Sequence, residues 1–258
     1  VKNGRVTSFV QLRGSIPFSW SQKPTKQIVP PIVIKNKEIS EDPGFRLHMN
    51  DVQNMYGEPL LVNLVKQRGS EKHLCDMYEA RAKEMNLNII SFDFHAMCPR
   101  TDFSKLQQLE TKVIPFLRRT GFTVVDCGTL VSSQYGIVRT NCLDNLDRTN
   151  IVQTLFASKV IVDMVTGTDA KSNESLDNYP KFYFQLKNIW ADHADVISKQ
   201  YSGTGALNTL FTRTGKTNKI ALLGDKITSA ARYYLNNFGD GYKQDAYDVF
   251  LGNFKPQE

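Results

Sequence analysis

Apolar and polar positions along the chain follow two patterns, one typical of buried strands and one typical of helices. Residues 60–65 (LLVNLV) and 88–94 (NIISFDF) form short, mostly apolar runs, as expected for strands covered on both faces. Between them, residues 72–85 have the spacing of an amphipathic helix. A strand, a helix and a strand in succession favour parallel pairing of the two strands.

The rest of the pattern extends this arrangement. Helical spacing is predicted for residues 45–55 and 104–119, and FTVVD at 122–126 begins a predicted hairpin. After residue 149 the chain is mostly helical to its end, interrupted by a glycine-bearing segment at 201–219. We therefore predict an α/β fold with a central, largely parallel or mixed sheet flanked by helices. In such a sheet, ligands bind at the carboxyl ends of the strands.

The stretch RTNCLDNLDRTN at 139–150 lies between a short β-branched run and a helical pattern. It is therefore predicted to be a loop between a strand and a helix. A loop that ends in a helix N-terminus presents unpaired backbone N–H groups and the positive end of the helix dipole, which together favour anions. In such a place the pKa of the Cys142 thiol is expected to fall from about 8.5 to roughly 3.5–7.5.

Five residues separate Cys142 from Arg148, enough for the loop to curl around a tetrahedral oxyanion and return a guanidinium opposite the sulfur. A guanidinium can hold two oxygens at once, and the hydroxyl of Thr149 could donate to the thiolate. The sequence thus predicts a phosphate-binding nucleophile loop whose backbone is completed by Asn141, Leu143, Asn145 and Leu146. The alternative is that Cys142 is a small buried hydrophobe, as most free cysteines are.

Two aspartates lie inside this loop. Asp144 or Asp147 could supply the proton that a departing alkoxide needs. Alternatively, both could cap the helix N-terminus and hold Arg148 or the loop amides in place.

Further charged residues are candidates for contact with substrate phosphates. Arg13 in QLRGSIP and both Arg213 and Lys216 in FTRTGK lie in glycine-bearing loops, where a cation and the backbone can approach a ligand closely. Each could equally be a solvated surface charge. His95 follows a predicted buried strand at the ligand-binding edge, where it either orients a catalytic group or is structural.

Composition excludes several classes of protein. With 41% apolar and 22% charged residues in 258, the chain has the composition of an ordinary globular domain. Its four cysteines form no Cys-x2-Cys pair, so neither a zinc site nor a disulfide scaffold is indicated. WADHAD at 190–195 has poor spacing for three metal ligands and is interpreted as structural.

The net charge of +6 fits anionic lipid or phosphate partners, whereas the scattered basic residues do not predict nucleic-acid binding.

At this point a family resemblance is evident. RTNCLDNLDRTN resembles the signature Arg-x-Asn-Cys-x-Asp-Cys-Leu-Asp-Arg-Thr-Asn of Sac-domain phosphoinositide phosphatases, and it looks closest to their endoplasmic reticulum and Golgi type. Further stretches resemble the family in the expected order: FVQLRGSIPFSW (9–20), FDFH (92–95), WADHAD (190–195), YSGTGALNTLFTRTGK (201–216) and NNFGDGYKQDAYDVFLGNF (236–254).

The resemblance implies a metal-independent phosphatase without a cofactor. It would act on phosphatidylinositol monophosphates, with the 4-phosphate favoured, through a phosphocysteine intermediate at a membrane surface. The resemblance also implies the cytoplasmic face of the endoplasmic reticulum, Golgi or other internal membranes. No window is long and apolar enough for a transmembrane segment, and the oligomeric state is not predicted.

The chain departs from the family pattern at two points. Asn145 replaces the second signature cysteine, which removes any disulfide between neighbouring signature cysteines. The chain also begins only twelve residues before Arg13, so residues 1–258 are expected to be the catalytic portion, without the N-terminal Sac subdomain or a membrane anchor. A protein tyrosine phosphatase is disfavoured, because LDNLD lacks the glycines of that loop. The alternative from another class is a non-catalytic module that binds phosphoinositides or a partner.

Overall fold

A parallel sheet forms the centre of the molecule. The computed structural model describes residues 4–22, 31–34, 43–99, 102–166, 176–238 and 240–253. Within these ranges the central sheet has the strand order β2-β9-β5-β6, and all three pairings are parallel. Its strands are β2 (Leu12–Arg13), β5 (Pro59–Asn63), β6 (Asn88–Ser91) and β9 (Ile137–Asn141).

Two smaller antiparallel sheets accompany it. One has the order β1-β7-β8, and the other pairs β3 with β4. Their strands are β1 (Arg5–Ser8), β3 (Trp20–Ser21), β4 (Val33–Ile34), β7 (Thr123–Asp126) and β8 (Thr129–Ser132). The fold is therefore mixed α/β, with parallel and antiparallel sheets, as the sequence predicts.

Helices flank the central sheet and make up the C-terminal half. They are α1 (Pro43–Tyr56), α2 (Lys72–Glu84), α3 (Phe94–Met97), α4 (Leu106–Thr120), α5 (Asp147–Thr166), α6 (Pro180–Ser202), α7 (Thr209–Thr214), α8 (Lys219–Phe238) and α9 (Asp240–Phe250). None of these helices, over the residues described, combines the length and apolar character needed to cross a bilayer.

The two faces of the central sheet bury two separate hydrophobic clusters, because successive side chains of a strand point to opposite faces. Leu60 and Val62 of β5 pack in a cluster with residues of α4 and α5. Leu61 packs on the other face with residues of α1 and α2. The sheet is therefore the middle of three layers, and its strands are fixed from both sides.

Most predicted elements are confirmed. The parallel β5-α2-β6 unit, helices α1 and α4, the β7-β8 hairpin and the break between α6 and α8 lie where the pattern places them. Of residues 9–14, only Leu12–Arg13 form a strand, which pairs with β9. The run after the hairpin also leaves it: Ile137–Asn141 joins the central sheet instead.

Candidate active site

The carboxyl ends of three neighbouring strands converge at one edge of the central sheet. Asn63 pairs in register with Ser91 on one side and with Asn141 on the other. Asn63 and Asn141 are fully buried, and Asn141 Nδ2 donates to Asn63 Oδ1 at 2.8 Å. This hydrogen bond between buried amides fixes the end of β9, from which the predicted loop begins.

The loop of residues 142–146 connects β9 directly to α5. Asn145 has a φ of +56°, a left-handed conformation that asparagine tolerates better than most residues. Asp144 Oδ1 accepts a hydrogen bond from the backbone N–H of Leu146 at 3.2 Å, the local contact that favours aspartate in tight turns. The predicted order of strand, loop and helix is therefore present.

The segment Arg13–Ser15, here called the RGS segment, holds the outer side of the loop. Arg13 Nη2 donates to the carbonyl oxygens of Asn145 at 2.5 Å and Leu146 at 3.1 Å. Ser15 Oγ donates to the carbonyl oxygen of Leu143 at 3.2 Å. These bonds fix three loop carbonyls, so the structure places Arg13 as a support of the loop backbone.

Arg139 in turn supports the RGS segment. Its guanidinium is almost fully buried and donates to the carbonyl oxygen of Ser15 at 2.6 Å, to His48 Nε2 at 2.9 Å and to Tyr78 Oη at 3.2 Å. A Cβ at position 14 would lie 3.1 Å from Arg139 Nη2. The absence of a side chain at Gly14 therefore leaves room for the Arg139 guanidinium.

Cys142 is completely buried, and its thiol donates to Asp144 Oδ1 at 3.1 Å. Burial, followed by the negative charge of Asp144, raises the pKa of the thiol to about 11, although Arg148 and Thr149 act in the opposite direction. The expectation of a lowered thiol pKa is therefore wrong for this arrangement. Desolvation disfavours the thiolate more than the nearby arginine and the loop favour it.

Arg148 follows the loop, in the first turn of α5, and contacts a buried acid. Its Nη1 is 3.4 Å from Glu71 Oε2 and 3.5 Å from the carbonyl oxygen of Leu64. Burial lowers the pKa of Arg148, but the charges of Cys142, Asp144 and Glu71 outweigh it, and the net shift is upward. Glu71 Oε2 also accepts from the backbone N–H of Lys66 at 2.8 Å. Glu71 thus holds the guanidinium on the side of the loop that carries Cys142 and Asp144.

Asp147, the first residue of α5, contacts the C-terminal helices. Its Oδ2 accepts from Arg232 Nη1 at 2.8 Å, and its Oδ1 accepts from the backbone N–H of Leu207 at 2.7 Å. Burial raises the pKa of Asp147, against the pull of Arg232. Arg232 also donates to Ser198 Oγ and to the carbonyl oxygen of Gly205, both at 3.0 Å. Asp147 therefore joins α5 to α8 through Oδ2 and to the segment between α6 and α7 through Oδ1.

The Thr149 hydroxyl is fully buried in the first turn of α5. Within the described ranges it makes no hydrogen bond of good geometry to a nitrogen or oxygen atom. It is close enough to Cys142 to lower the pKa of the thiol, so its free hydrogen-bonding capacity is directed at the sulfur.

A cavity of about 400 Å³ lies over the loop. It is lined by Phe94, His95, Cys98, Phe103, Asp144, Asp147, Arg148, Leu207, Asn208 and Arg232. Burial, and then the charges of Arg148 and Lys66, lower the pKa of His95, which favours a neutral imidazole. The cavity brings together both loop aspartates and two arginines, so an anion placed there would meet charges of both signs.

The structure does not bring Arg213 and Lys216 to this cavity. Arg213 bonds to Asn188 Oδ1 and Asp192 Oδ1, both at 2.7 Å, and Lys216 is exposed. In the WADHAD stretch, Asp195 accepts from the backbone N–H of Ala206 at 2.9 Å. Its aspartates thus serve contacts between α6 and the segment that follows it.

Sequence reasoning missed several residues of this site. Glu71 lies in a polar run, RGSEK, that is typical of a solvated surface, yet its side chain is only 7% exposed. Arg232 lies 84 residues beyond Arg148 on an amphipathic helix, with no local signal of its role. Cys98 lines the cavity although it follows FDFH by three residues without a motif of its own. Only the three-dimensional contacts identify these three.

Comparisons with known proteins point to one family. The SacI homology domain matches residues 1–99. Phosphatidylinositol-3-phosphatase SAC1-B of Danio rerio is 41% identical over 99% of this chain and 44% of that protein. Phosphatidylinositol-3-phosphatase SAC1 of Saccharomyces cerevisiae is 37% identical over 97% of this chain and 42% of its own length. Phosphoinositide phosphatase SAC7 of Arabidopsis thaliana is 37% identical over 98% and 43%.

The chain thus spans less than half the length of these relatives, but the likeness extends along nearly all of the chain. It covers both the matched region at residues 1–99 and the loop that carries Cys142 and Arg148. The chain is therefore a homologue, along nearly its whole length, of Sac-domain proteins that are named as phosphoinositide phosphatases.

Proposed function

We propose that this chain is the catalytic portion of a phosphoinositide phosphatase that works without a metal ion and forms a phosphocysteine intermediate. The observation that carries the proposal is the contact between Cys142 Sγ and Asp144 Oδ1 at 3.1 Å, in the same loop whose Asp144 lines a cavity together with Arg148. A thiol, a proton acceptor and a guanidinium in one loop are the groups that phosphoryl transfer to sulfur requires.

The first step begins from the thiol, because the pKa of Cys142 lies near 11. Asp144 takes the proton from sulfur as the sulfur attacks phosphorus and the bond from phosphorus to the inositol oxygen breaks. Protonation also removes the negative charge of Asp144, which would otherwise repel the phosphate. Asp144 lines the cavity, so it can then deliver this proton to the departing inositol oxygen.

The second step is hydrolysis. Water attacks phosphorus in the phosphocysteine and the phosphorus–sulfur bond breaks. Asp144 accepts a proton from that water and returns it to the sulfur, so inorganic phosphate is released and the thiol is regenerated. Arg148 stabilises the equatorial oxygens in both steps, as a guanidinium can. Asp144 is favoured over Asp147 for the proton transfers, because both oxygens of Asp147 are already engaged with Arg232 and Leu207.

The substrate we propose is a phosphatidylinositol monophosphate at the cytoplasmic face of an internal membrane. The family resemblance favours the 4-phosphate, whereas two of the relatives are named as phosphatidylinositol-3-phosphatases. His95 lines the cavity and is the first candidate for headgroup contact. Arg213 and Lys216 would need to act from outside it, and Arg13 would act through the loop.

The test is phosphate release from a panel of short-chain 3-, 4- and 5-monophosphates, measured with a metal chelator present. Cys142→Ser removes the nucleophile, and Cys127→Ser, at an exposed thiol, is the matched control. We expect release in the unchanged protein and in Cys127→Ser, and none in Cys142→Ser. Trapping of labelled phosphate on acid-quenched protein would identify the intermediate.

Either of two results would overturn the proposal. One is release that Cys142→Ser leaves unchanged, and the other is release that the chelator abolishes. A folded protein that binds the headgroups but releases no phosphate would favour the non-catalytic binding module.

A further inference from the structure

Helix α8 exposes a narrow apolar stripe. Ile220 is 82% exposed, Leu223 is 58% exposed and Ile227 is 64% exposed. At 3.6 residues per turn these three side chains lie within an arc of about 60° on one side of the helix. Large aliphatic side chains at such exposure on one helix face mark a surface that is covered when the protein works.

The charges of α8 are arranged around this stripe. Lys219 and Lys226 are exposed and lie next to it, within about 120°. The helix has one acidic residue, Asp225, which lies on the opposite side and accepts from the backbone N–H of Asn208 at 3.2 Å. The outward side of α8 is therefore apolar and basic, with no acid beside it.

The inward side of α8 is fixed to the candidate active site. Arg232 lies between about 120° and 180° from the stripe around the helix, where it contacts Asp147 and lines the cavity. Asn208, whose N–H bonds Asp225, lines the same cavity. Helix α8 thus has the apolar stripe on its outward side and the contact with Asp147, next to the loop that carries Cys142, on its inward side.

We propose that α8 docks on an anionic membrane surface through Ile220, Leu223 and Ile227, with Lys219 and Lys226 at the lipid headgroups. An apolar stripe with lysines along one edge is typical of an interfacial helix, and the net charge of +6 favours the same partner. The inference rests on the proposed function in that the substrate is a membrane lipid. Docking would then hold the cavity near the surface from which the substrate comes.

The test measures co-sedimentation of the chain with vesicles of phosphatidylcholine, alone or mixed with phosphatidylserine, with no phosphoinositide present. The variant is Ile220→Gln with Ile227→Gln. Its matched control is Ile189→Gln with Val196→Gln, two apolar residues of α6 that are also seven apart and are 64% and 54% exposed. Asp192 lies between them, so the α6 surface, unlike the stripe of α8, includes an acidic residue.

We expect the chain to bind mixed vesicles and not pure phosphatidylcholine. The α8 variant should bind roughly tenfold more weakly, because it loses two apolar side chains from the interface, and the α6 variant should bind as the unchanged chain does. Lys219→Glu with Lys226→Glu should abolish the preference for phosphatidylserine. Circular dichroism and turnover of a short-chain soluble substrate should be the same in all four proteins.

Two results would overturn the inference: no vesicle binding by the folded chain, or equal losses in the α8 and α6 variants. Self-association that the α8 variant abolishes, without vesicle binding, would assign the stripe to a second copy and would overturn it too. The proposed function is tested separately, because vesicle binding is measured without substrate. A chain that binds vesicles but has no phosphatase activity would disprove only the proposed function.

Discussion

Asp144 has two opposing effects on Cys142. Its charge raises the pKa of the thiol, and its carboxylate is the nearest acceptor for the thiol proton. In the proposed mechanism, the same residue therefore helps burial to keep the thiol protonated in the resting protein and accepts its proton during the attack. A substitution that removes the charge of Asp144 and keeps the shape of its side chain separates the two effects.

Asp144→Asn is predicted to lower the pKa of Cys142 and yet to slow turnover of a phosphatidylinositol monophosphate by about 10²- to 10⁴-fold, the usual contribution of a positioned acid or base. Thiolate absorbance as a function of pH, compared with Cys142→Ser, measures the pKa. The loss should be smaller for an aryl phosphate, whose leaving oxygen needs no proton. Equal losses for alkyl and aryl substrates would show that Asp144 does not protonate the leaving group.

At this scale the sequence predicts the site in part. The spacing of Cys142 and Arg148, and the strand and helix around them, are visible because they are local. The partner of Arg148 is not, since Glu71 is 77 residues away and lies in a polar run. The direction of the pKa shift of Cys142 is also not visible, because it depends on complete burial, which a loop sequence does not report.

Strand β9 is the element on which the site depends, and Gly136 is the residue that lets it enter the sheet. Gly136 has a φ of +124°, and a Cβ there would lie 2.7 Å from Thr120 Cγ2 and 2.8 Å from the carbonyl oxygen of Glu58. That carbonyl accepts from the backbone N–H of Ile137 at 2.9 Å. Close approach of two backbones therefore requires glycine at this position.

Gly136→Ala is predicted to lower the free energy of unfolding by about 3 kcal/mol or more, through the strained backbone and the two clashes. Gly215→Ala is the control: its φ is also positive, at +72°, but a Cβ there meets nothing within 4 Å. We expect it to cost about 1 kcal/mol, the strain alone. Urea unfolding of both variants gives the comparison, and equal losses would contradict the role of close approach at Gly136.

The ion pair between Asp147 and Arg232 joins α5 to α8. The two side chains are only 11% and 12% exposed, so removal of one partner leaves a charge with little access to water. Arg232→Met is predicted to destabilise the chain by about 2–4 kcal/mol. Adding Asp147→Asn should recover part of this loss, because asparagine can still accept from Leu207 and carries no charge.

Urea unfolding of both single variants and the double variant gives the coupling, which we expect to be about 1–3 kcal/mol. Additive losses would show that the cost of Arg232→Met comes from its other contacts, with Ser198 and Gly205, and not from the ion pair.

The elements themselves are largely predictable from periodicity, but their arrangement in the sheet is not. Residues 137–141 follow the β7-β8 hairpin directly, which locally favours a third antiparallel strand. They instead pair in parallel with β5 and β2, because all five are buried and only the centre of a covered sheet buries a strand on both faces. The parallel pairing of residues 137–141 therefore depends on helices packed on both faces of the sheet.

Across the whole molecule, three thiols lie in the hydrophobic clusters, and burial is the first cause of their raised pKa values. The pKa of Cys75 is raised to about 12, and those of Cys98 and Cys142 to about 11. In the unfolded chain a thiol ionises near its ordinary pKa of about 8.5. As the pH rises from about 9 toward 11, the unfolded state therefore loses protons that the folded state keeps.

The sign follows from this proton balance. When the folded state binds more protons than the unfolded state, the free energy of unfolding falls as pH rises. The protonated thiols thus stabilise the folded state fully below about pH 8.5, and this stabilisation is lost as the pH approaches their pKa values in the folded state. The contribution of each thiol to the free energy of unfolding is predicted to fall by about 1–2 kcal/mol over this range.

Urea unfolding under a reductant at about pH 8 and about pH 10.5 measures the loss for the whole molecule. Cys98→Ala, within a cluster, should lose less stability between the two pH values than the unchanged chain does. Cys127→Ala, at an exposed thiol, should lose as much as the unchanged chain. Lysine and tyrosine ionisation is common to all three proteins and cancels in the differences. The same pH dependence in Cys98→Ala and Cys127→Ala would show that the core does not hold its thiols protonated.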